Sequence, residues 1–159
     1  MAKLDRMDVA ILEALQEDAR LSNQRLADKV GLSPSACWRR VKSLEDAGVI
    51  DRYVTLVSQD SVGLGVTAFL HLSLENHQPE TVEAFDRLVA DVPEIMECYS
   101  MSGQDDYLIR VVAATLADYE RLMARHFMNA AGLRTANSSF VLKQKKYTTV
   151  MPLKATREP

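Results

Sequence analysis

The chain has 159 residues, of which 47% are apolar and 26% charged, and its formal net charge is −3. This composition is typical of a folded globular protein and argues against disorder, and no run approaches the ~18 apolar residues of a membrane span. The acidic balance argues against a nucleic-acid partner only on average, because one face of an acidic protein can still be basic.

Apolar residues recur at helical spacing from Leu4 to Leu15, which predicts a first helix. A second, short helix begins at about Asn23, and Gly31 ends it in the position where a left-handed cap costs least. A third helix follows at once. This is the spacing of a helix-turn-helix over about 23–42, a motif whose second helix enters the major groove of DNA.

The third helix begins with Ser33 as N-cap and Pro34 at the first helical position, and we expect it to run to about Ala47. Projected at about 100° per residue, it has one packing side and one free side. The packing side carries Cys37, Val41 and Leu44, the free side carries Ser35, Arg39, Lys42 and Asp46, and Trp38 and Arg40 lie on the flanks. Small hydroxyls and arginine suit base edges and phosphates, so the free side predicts a DNA-docking face. An ordinary solvated helix face is the alternative.

The segment 50–57 (IDRYVTLV) predicts a strand that leaves the helical part, and a Ser- and Gly-containing linker follows it. Beyond the linker, the predicted order is β-α-β-β-α-β. The strands are expected at 66–74, 95–102, 107–114 and 133–143, and the helices at 79–92 and 116–127. This order is that of a ferredoxin-like sandwich, in which two helices cover one face of a four-stranded antiparallel sheet. We therefore predict an α+β chain with a helix-turn-helix domain (1–60) joined by a β linker to a βαββαβ domain (61–159).

The first strand of this second domain has two different faces. Its second face carries Thr67, Phe69 and His71, which are too apolar for the free surface of a small domain. We therefore predict a homodimer through this sheet face, with higher assembly. A symmetric dimer also suits a helix-turn-helix, because it spaces two recognition helices about one turn of DNA apart.

No catalytic or metal-binding pattern is found in the sequence. The three histidines lack the spacing of metal ligands, and Ser138 and Ser139 have no base nearby in the sequence. We therefore predict a protein that is not an enzyme and that has neither a bound metal nor a cofactor. Cys37 and Cys98 are far apart without a CxxC pattern, and both are expected to be reduced core thiols.

The turn from Ser102 to Tyr107 is the candidate for small-molecule binding. Gly103 leaves backbone N–H groups approachable, while Asp105 and Asp106 supply acceptors. Together these groups suit the carboxylate and ammonium of an amino acid. A plain hairpin turn is the alternative, because these residues are also common turn formers.

Several short motifs are spread over nearly the whole chain. They are LDRMD (4–8), IL (11–12), LSPSACWRRV (32–41), LE (44–45), GVI (48–50), SG (102–103) and DYL (106–108). Together they resemble the Lrp/AsnC family of bacterial and archaeal transcription factors. The ending from Ser138 to Thr149 is similar to a subgroup that includes regulators of branched-chain amino acid and cysteine catabolism. Two departures bear on operator preference: Ser35-Ala36 stands where many members have Thr-Pro, and Arg39 stands where some have an acid.

The resemblance implies a cytoplasmic, nucleoid-associated regulator of transcription. Its winged-helix-like domain binds double-stranded DNA, and its RAM- or ACT-like domain binds an amino acid effector between dimers that assemble into an octamer or similar ring. The implied DNA contacts are Asn23, Ser33, Ser35, Trp38, Arg39, Arg40 and Lys42. The implied effector site is Met101, Ser102, Gly103, Gln104, Asp105, Asp106, Tyr107, Ser138 and Ser139. An architectural DNA-binding protein without an effector is the alternative function.

Overall fold

The computed structural model describes residues 3–128 and 130–155, and its contacts divide the chain into two compact units. The helical unit comprises Met1–Thr55 together with Lys145–Pro159, and the sheet unit comprises Leu56–Gln144. The predicted domains, 1–60 for DNA binding and 61–159 for effector binding, stay a prediction. In the contacts within the chain, Lys145–Pro159 groups with the helices and not with the sheet.

The helical unit contains α1 (Arg6–Glu17), α2 (Asn23–Val30) and α3 (Pro34–Asp46). α2 and α3 begin where the sequence predicts, and α1 begins at Arg6, two residues after Leu4. The side chains of Asp5, Ser22 and Ser33 each accept a hydrogen bond from a backbone N–H in the first turn of the helix that follows. Gly31 ends α2 with a φ of 73°, the left-handed conformation that glycine adopts without steric cost.

The core of the helical unit draws on all three helices and on the C-terminal segment. The buried residues are Ile11, Leu12, Ala14, Leu26, Ala27, Cys37 and Leu44. The partly buried Val41 and Leu153 pack against them. The predicted packing side of α3 is therefore confirmed, and Leu153 extends the core from more than a hundred residues further along the chain.

The sheet unit follows the predicted β-α-β-β-α-β order. Its elements are β1 (Val66–Leu74), α4 (Pro79–Asp91), β2 (Ile95–Ser100), β3 (Tyr107–Ala113), α5 (Leu116–His126) and β4 (Leu133–Phe140). The strands lie in the order β2-β3-β1-β4, and every neighbouring pair is antiparallel. The fold is thus the α+β, ferredoxin-like sheet and helix arrangement that the element order predicts.

Alternation along β1 decides which face of the sheet is the core. Ala68, Leu70, Leu72 and Leu74 are buried and pack with Phe85 of α4, among others. Thr67, Phe69 and His71 point to the second face and are only partly buried. Two faces of unequal burial on one strand leave the second face available for another partner.

The prediction of a strand at 50–57 is wrong. These residues join no ladder in the part of the chain that the structure describes, and Val54, Leu56 and Val57 are 63%, 59% and 66% exposed. The segment is rich in β-branched and aromatic residues, but a strand also needs a hydrogen-bonded neighbour, which a sequence pattern does not supply. The β linker is therefore a connection without regular secondary structure in the single chain.

Three predicted strands end earlier than expected, β3 by one residue at Ala113. β2 stops at Ser100, which pairs with Tyr107, the first residue of β3. The start of β3 thus sets the end of β2. β4 stops at Phe140, which pairs with Ala68 of β1, although the N–H of Val141 still donates to the backbone oxygen of Thr67 at 2.9 Å.

Of the two cysteines, Cys37 is buried as predicted, but the prediction for Cys98 is wrong because it is exposed. Cys98 lies on β2, an edge strand that has a neighbour on one side only. The longest helices of the described residues have 13 residues, and none is long and apolar enough to cross a membrane.

Candidate functional site

The outward face of α3 is open. Ser35, Arg39 and Lys42 are exposed, as the helical projection predicts, and Trp38 on the flank is exposed as well. Trp38 is 58% exposed and therefore does not close the helical core. Its ring borders a cavity of about 320 Å³ whose lining includes Asn23, Lys42 and Tyr53.

Arg40 is occupied by the fold. Its Nη1 lies 2.8 Å from Oδ2 of Asp5 and 2.7 Å from Oδ1 of Asp8, the two carboxylates that cap the start of α1. Hydrogen bonds to Asp5 and Asp8 raise the pKa of the Arg40 guanidinium. Arg40 therefore ties α3 to α1, and its geometry is that of a positioning residue.

Two further candidates hold the turn between α2 and α3. Asn23 donates from Nδ2 to the backbone oxygen of Pro34 at 2.8 Å. Oγ of Ser33 accepts from the N–H of Ala36 at 3.3 Å and lies 3.4 Å from Oγ of Ser35. These contacts fix where α3 starts and therefore where its first turn points.

The two remaining cations on the free side of α3 differ in their surroundings. Nζ of Lys42 lies 3.0 Å from Asp46 and 3.7 Å from Glu45, in ion pairs on the surface. Arg39 makes no ion pair or side-chain hydrogen bond with any residue in 3–128 or 130–155. Arg39 is thus the cation of this helix whose donors are all uncommitted.

The cap of α1 gives a prediction for the pH dependence of stability. The backbone N–H of Asp8 and the guanidinium of Arg40 lower the pKa of Asp5 from its usual 3.8. Because the folded-state pKa lies below the unfolded one, this stabilisation is present above pH 3.8 and is lost as the pH falls through the folded-state value. We expect Asp5→Asn, which keeps a good N-cap, to show a smaller loss of unfolding free energy between pH 5 and pH 3 than the unsubstituted chain. Urea titrations at each pH measure it, and equal losses in both proteins would contradict the assignment.

In the sheet unit, the turn between β2 and β3 has backbone N–H groups that are not hydrogen-bonded to other described residues. The N–H of Met101 donates to the backbone oxygen of Asp106 at 2.8 Å, which closes the base of the turn. The backbone N–H groups of 102–105 donate to nothing else within the described ranges. Gly103 has a φ of 143°, a conformation that side-chain-bearing residues rarely adopt. The tip of the turn therefore presents four consecutive uncommitted donors.

Asp106 fixes this turn to the end of β1. Its Oδ2 accepts from the N–H of Leu74 at 2.8 Å, its own N–H donates to the oxygen of Leu72 at 2.9 Å, and its Oδ1 lies 3.2 Å from Nε2 of His77. Asp105, one residue earlier, is closer to the tip. Its Oδ2 lies 3.2 Å from Nδ1 of His71.

The other predicted effector residues are not all on one surface. Met101, Ser102 and Gln104 are exposed at the turn. The ring of Tyr107 instead stacks on Phe85 of α4, with ring centroids 4.3 Å apart.

Ser138 and Ser139, neighbours on β4, point to opposite faces. Ser138 shares a hydrogen bond with the hydroxyl of Tyr119 on α5, and Ser139 pairs with Phe69, whose side chain lies on the second face of the sheet. The two serines therefore cannot act together on one ligand of a single chain.

Two features of the site had little signal in the sequence. His77 lies in a loop without periodicity, so nothing placed it beside Asp106. The docking of the C-terminal segment on α1 joins residues 135 positions apart, which no local pattern reports. Within 3–128 and 130–155, no group of three or more His, Cys, Asp or Glu residues is arranged to hold a metal ion.

Two family models match this chain, one on each unit. The model of the Lrp/AsnC ligand binding domain matches residues 67–151, and that of a winged helix-turn-helix DNA-binding domain matches residues 4–51. The chain belongs to the Lrp/AsnC family. The open face of α3 lies within the DNA-binding match, and the turn between β2 and β3 lies within the ligand-binding match.

Known members of the family resemble this one along almost their whole length. The DNA-binding transcriptional activator DecR of Escherichia coli is 38% identical over 94% of this chain and 99% of DecR. The Bkd operon transcriptional regulator of Pseudomonas aeruginosa is 35% identical over 96% of this chain and the full length of that protein. The crystal structure of a transcriptional regulator from Neisseria meningitidis in complex with L-Met is 39% identical, covers 94% of this chain and 96% of its own, and superposes with a TM-score of 0.91.

These similarities establish the function class of this Lrp/AsnC protein. It is a DNA-binding transcriptional regulator with a ligand-binding domain and not an enzyme. DecR and the Bkd regulator support its place near the amino acid catabolism subgroup that the C-terminal motif indicates.

Proposed function

We propose that this regulator docks on operator DNA through the outward face of α3, and that an amino acid bound at the turn between β2 and β3 changes its assembly or its DNA binding. The observation that carries the proposal is the row of four uncommitted N–H groups at 102–105, inside the match to a ligand-binding domain.

On the DNA side, we divide the candidate residues by what they already contact. Ser35, Trp38, Arg39 and Lys42 are exposed and can contact DNA directly. The ion pair of Lys42 with Asp46 is at the surface and costs little to break, so Lys42 is available to a phosphate. Asn23, Ser33 and Arg40 act indirectly, because their partners lie within the helical unit and set the position of α3.

On the effector side, the turn offers complementary groups for both ends of an amino acid. Consecutive backbone N–H groups suit a carboxylate, and the carboxylate of Asp105 suits an ammonium. Gly103 keeps the approach to these donors free of a side chain. The relative that was crystallised with L-Met supports an amino acid as the effector class.

We further propose a homodimer through the second face of the sheet, assembling into an octamer or similar ring. Phe69 and Leu108 lie partly buried on this face, and Tyr99 beside them is 50% exposed. An effector that contacts the turn can shift the assembly only if it binds one arrangement more tightly than the other. In this scheme residues 1–60 bind DNA and 61–159 sense and assemble, in the cytoplasm and in association with the nucleoid.

A thermal-shift screen of the full chain against each of the twenty amino acids tests the effector proposal. We expect at least one amino acid to raise the melting temperature, since a ligand that binds only the folded state stabilises it by mass action. The same amino acid should change the elution volume in size-exclusion chromatography or the affinity for operator DNA. A flat result in all three measurements would favour the architectural protein without an effector.

A further inference from the structure

Charge is divided unevenly between the two units. Met1–Thr55 carries nine Lys or Arg and nine Asp or Glu, so the part of the chain that contains the helix-turn-helix is neutral. Leu56–Gln144 carries six against twelve, whereas the fifteen residues Lys145–Pro159 carry four against one. The C-terminal segment is thus what makes the helical unit basic, with a formal charge of +3.

The C-terminal segment is anchored on the helical unit by three contacts. Oε1 of Gln16 on α1 accepts from the N–H of Met151 at 2.6 Å, and Nε2 of the same side chain donates to the Met151 oxygen at 3.3 Å. Two residues later, Leu153 packs against the helical core. A side-chain amide that bonds both polar groups of one residue holds the backbone as a neighbouring strand would.

The lysines of this segment are uncommitted. Lys145, Lys146 and Lys154 are exposed, and none of them forms an ion pair or hydrogen bond with any residue whose position is described. By contrast, Lys29 and Arg40 of the helices each pair with a carboxylate. Tyr147, next to Lys146, is 64% exposed and adds a ring to the same stretch.

We propose that the C-terminal segment is a second DNA-binding element, in which Lys145 and Lys146 bind the phosphates of duplex DNA that flanks the site read by α3. This proposal rests on DNA docking through the helical unit. Phosphate contacts supply much of the affinity of a protein for DNA and do not depend on base sequence. The helices alone have no net positive charge, so their phosphate contacts are limited to single cations such as Lys42, and the segment adds further cations to the same compact unit without altering α3.

The double variant Lys145→Gln/Lys146→Gln tests the proposal in the full chain. The slope of log K against log salt is negative, and each lost phosphate contact reduces its magnitude by about 0.9. We therefore expect the magnitude to be smaller by about 1.8 in the double variant. Binding to operator and to unrelated duplex DNA should both be weaker. The charge-reversing variant Lys145→Glu/Lys146→Glu should weaken binding further. Fluorescence anisotropy titrations at several KCl concentrations from 50 to 300 mM measure the affinity for DNA and its salt slope.

Arg87→Gln/Arg125→Gln is the matched control, since it removes two exposed cations of the sheet unit that have no ion pair among the described residues, and it changes the net charge equally. We expect its salt slope to stay at the value of the unsubstituted chain. An unchanged slope in both lysine variants, or an equal fall in the control, would overturn the proposal. Arg39→Ala distinguishes docking through α3 from phosphate binding by the C-terminal segment. If Arg39→Ala binds operator normally while the lysine variants do not, docking through α3 is wrong and the role of the segment stands.

Discussion

Replacing Arg39 by alanine is expected to weaken operator binding by about 1–3 kcal/mol, the usual contribution of a good arginine contact to a base. Arg39 lies on the outward face of α3, and its guanidinium has no competing partner in the described parts of the chain. Its loss removes an interaction with DNA without breaking one within the protein. Anisotropy titrations with operator and with scrambled duplex at one salt concentration measure the change.

Two comparisons make the Arg39 result specific. Arg87→Ala removes an exposed cation from the sheet unit and should bind operator as the unsubstituted chain does. The loss on Arg39→Ala should be larger for operator than for scrambled DNA, because a base contact discriminates between sequences and a phosphate contact does not. Normal operator binding by Arg39→Ala would show that this face of α3 does not dock on bases.

Replacing Asp106 by alanine is expected to abolish the response to the effector while operator binding without effector stays unchanged. The carboxylate of Asp106 holds the N–H of Leu74 at 2.8 Å and so fixes the turn to the end of β1. Without this contact the turn is no longer held against the end of β1, and a site that relies on preorganised donors loses most of its affinity. Operator titrations with and without the amino acid found in the thermal-shift screen measure the response.

The variant Asp106→Asn distinguishes positioning from direct binding. An asparagine oxygen can still accept from the N–H of Leu74, so a positioning role predicts that much of the response survives. If the negative charge of Asp106 itself bound the effector ammonium, Asp106→Asn would lose as much as Asp106→Ala. A full effector response in Asp106→Ala would remove the turn from the proposed site.

The sequence predicted the faces of α3 correctly because burial along a helix follows its period. The helical projection placed Arg39 on the free side and Arg40 on a flank, but it could not show that Arg40 has partners on another helix. The structure separates them, since Arg40 bonds to Asp5 and Asp8 while Arg39 stays uncommitted. Likewise, adjacent serines on β4 were predicted as one site, and the pleat of the strand directs them to opposite faces.

The sequence by itself determined the helices, the order of elements along the sheet unit and the buried face of β1. Capping, helical period and strand alternation operate over a few residues, so a short stretch of sequence contains all the information they need. Only the tertiary structure decided which side chains remain free for a ligand. Arg40 meets Asp5 across 35 residues, Asp106 meets Leu74 across 32, and Gln16 meets Met151 across 135. Such partners are set by how the chain folds back on itself, and for that reason the C-terminal segment, predicted as part of the sensing half, lies on the helices that bind DNA.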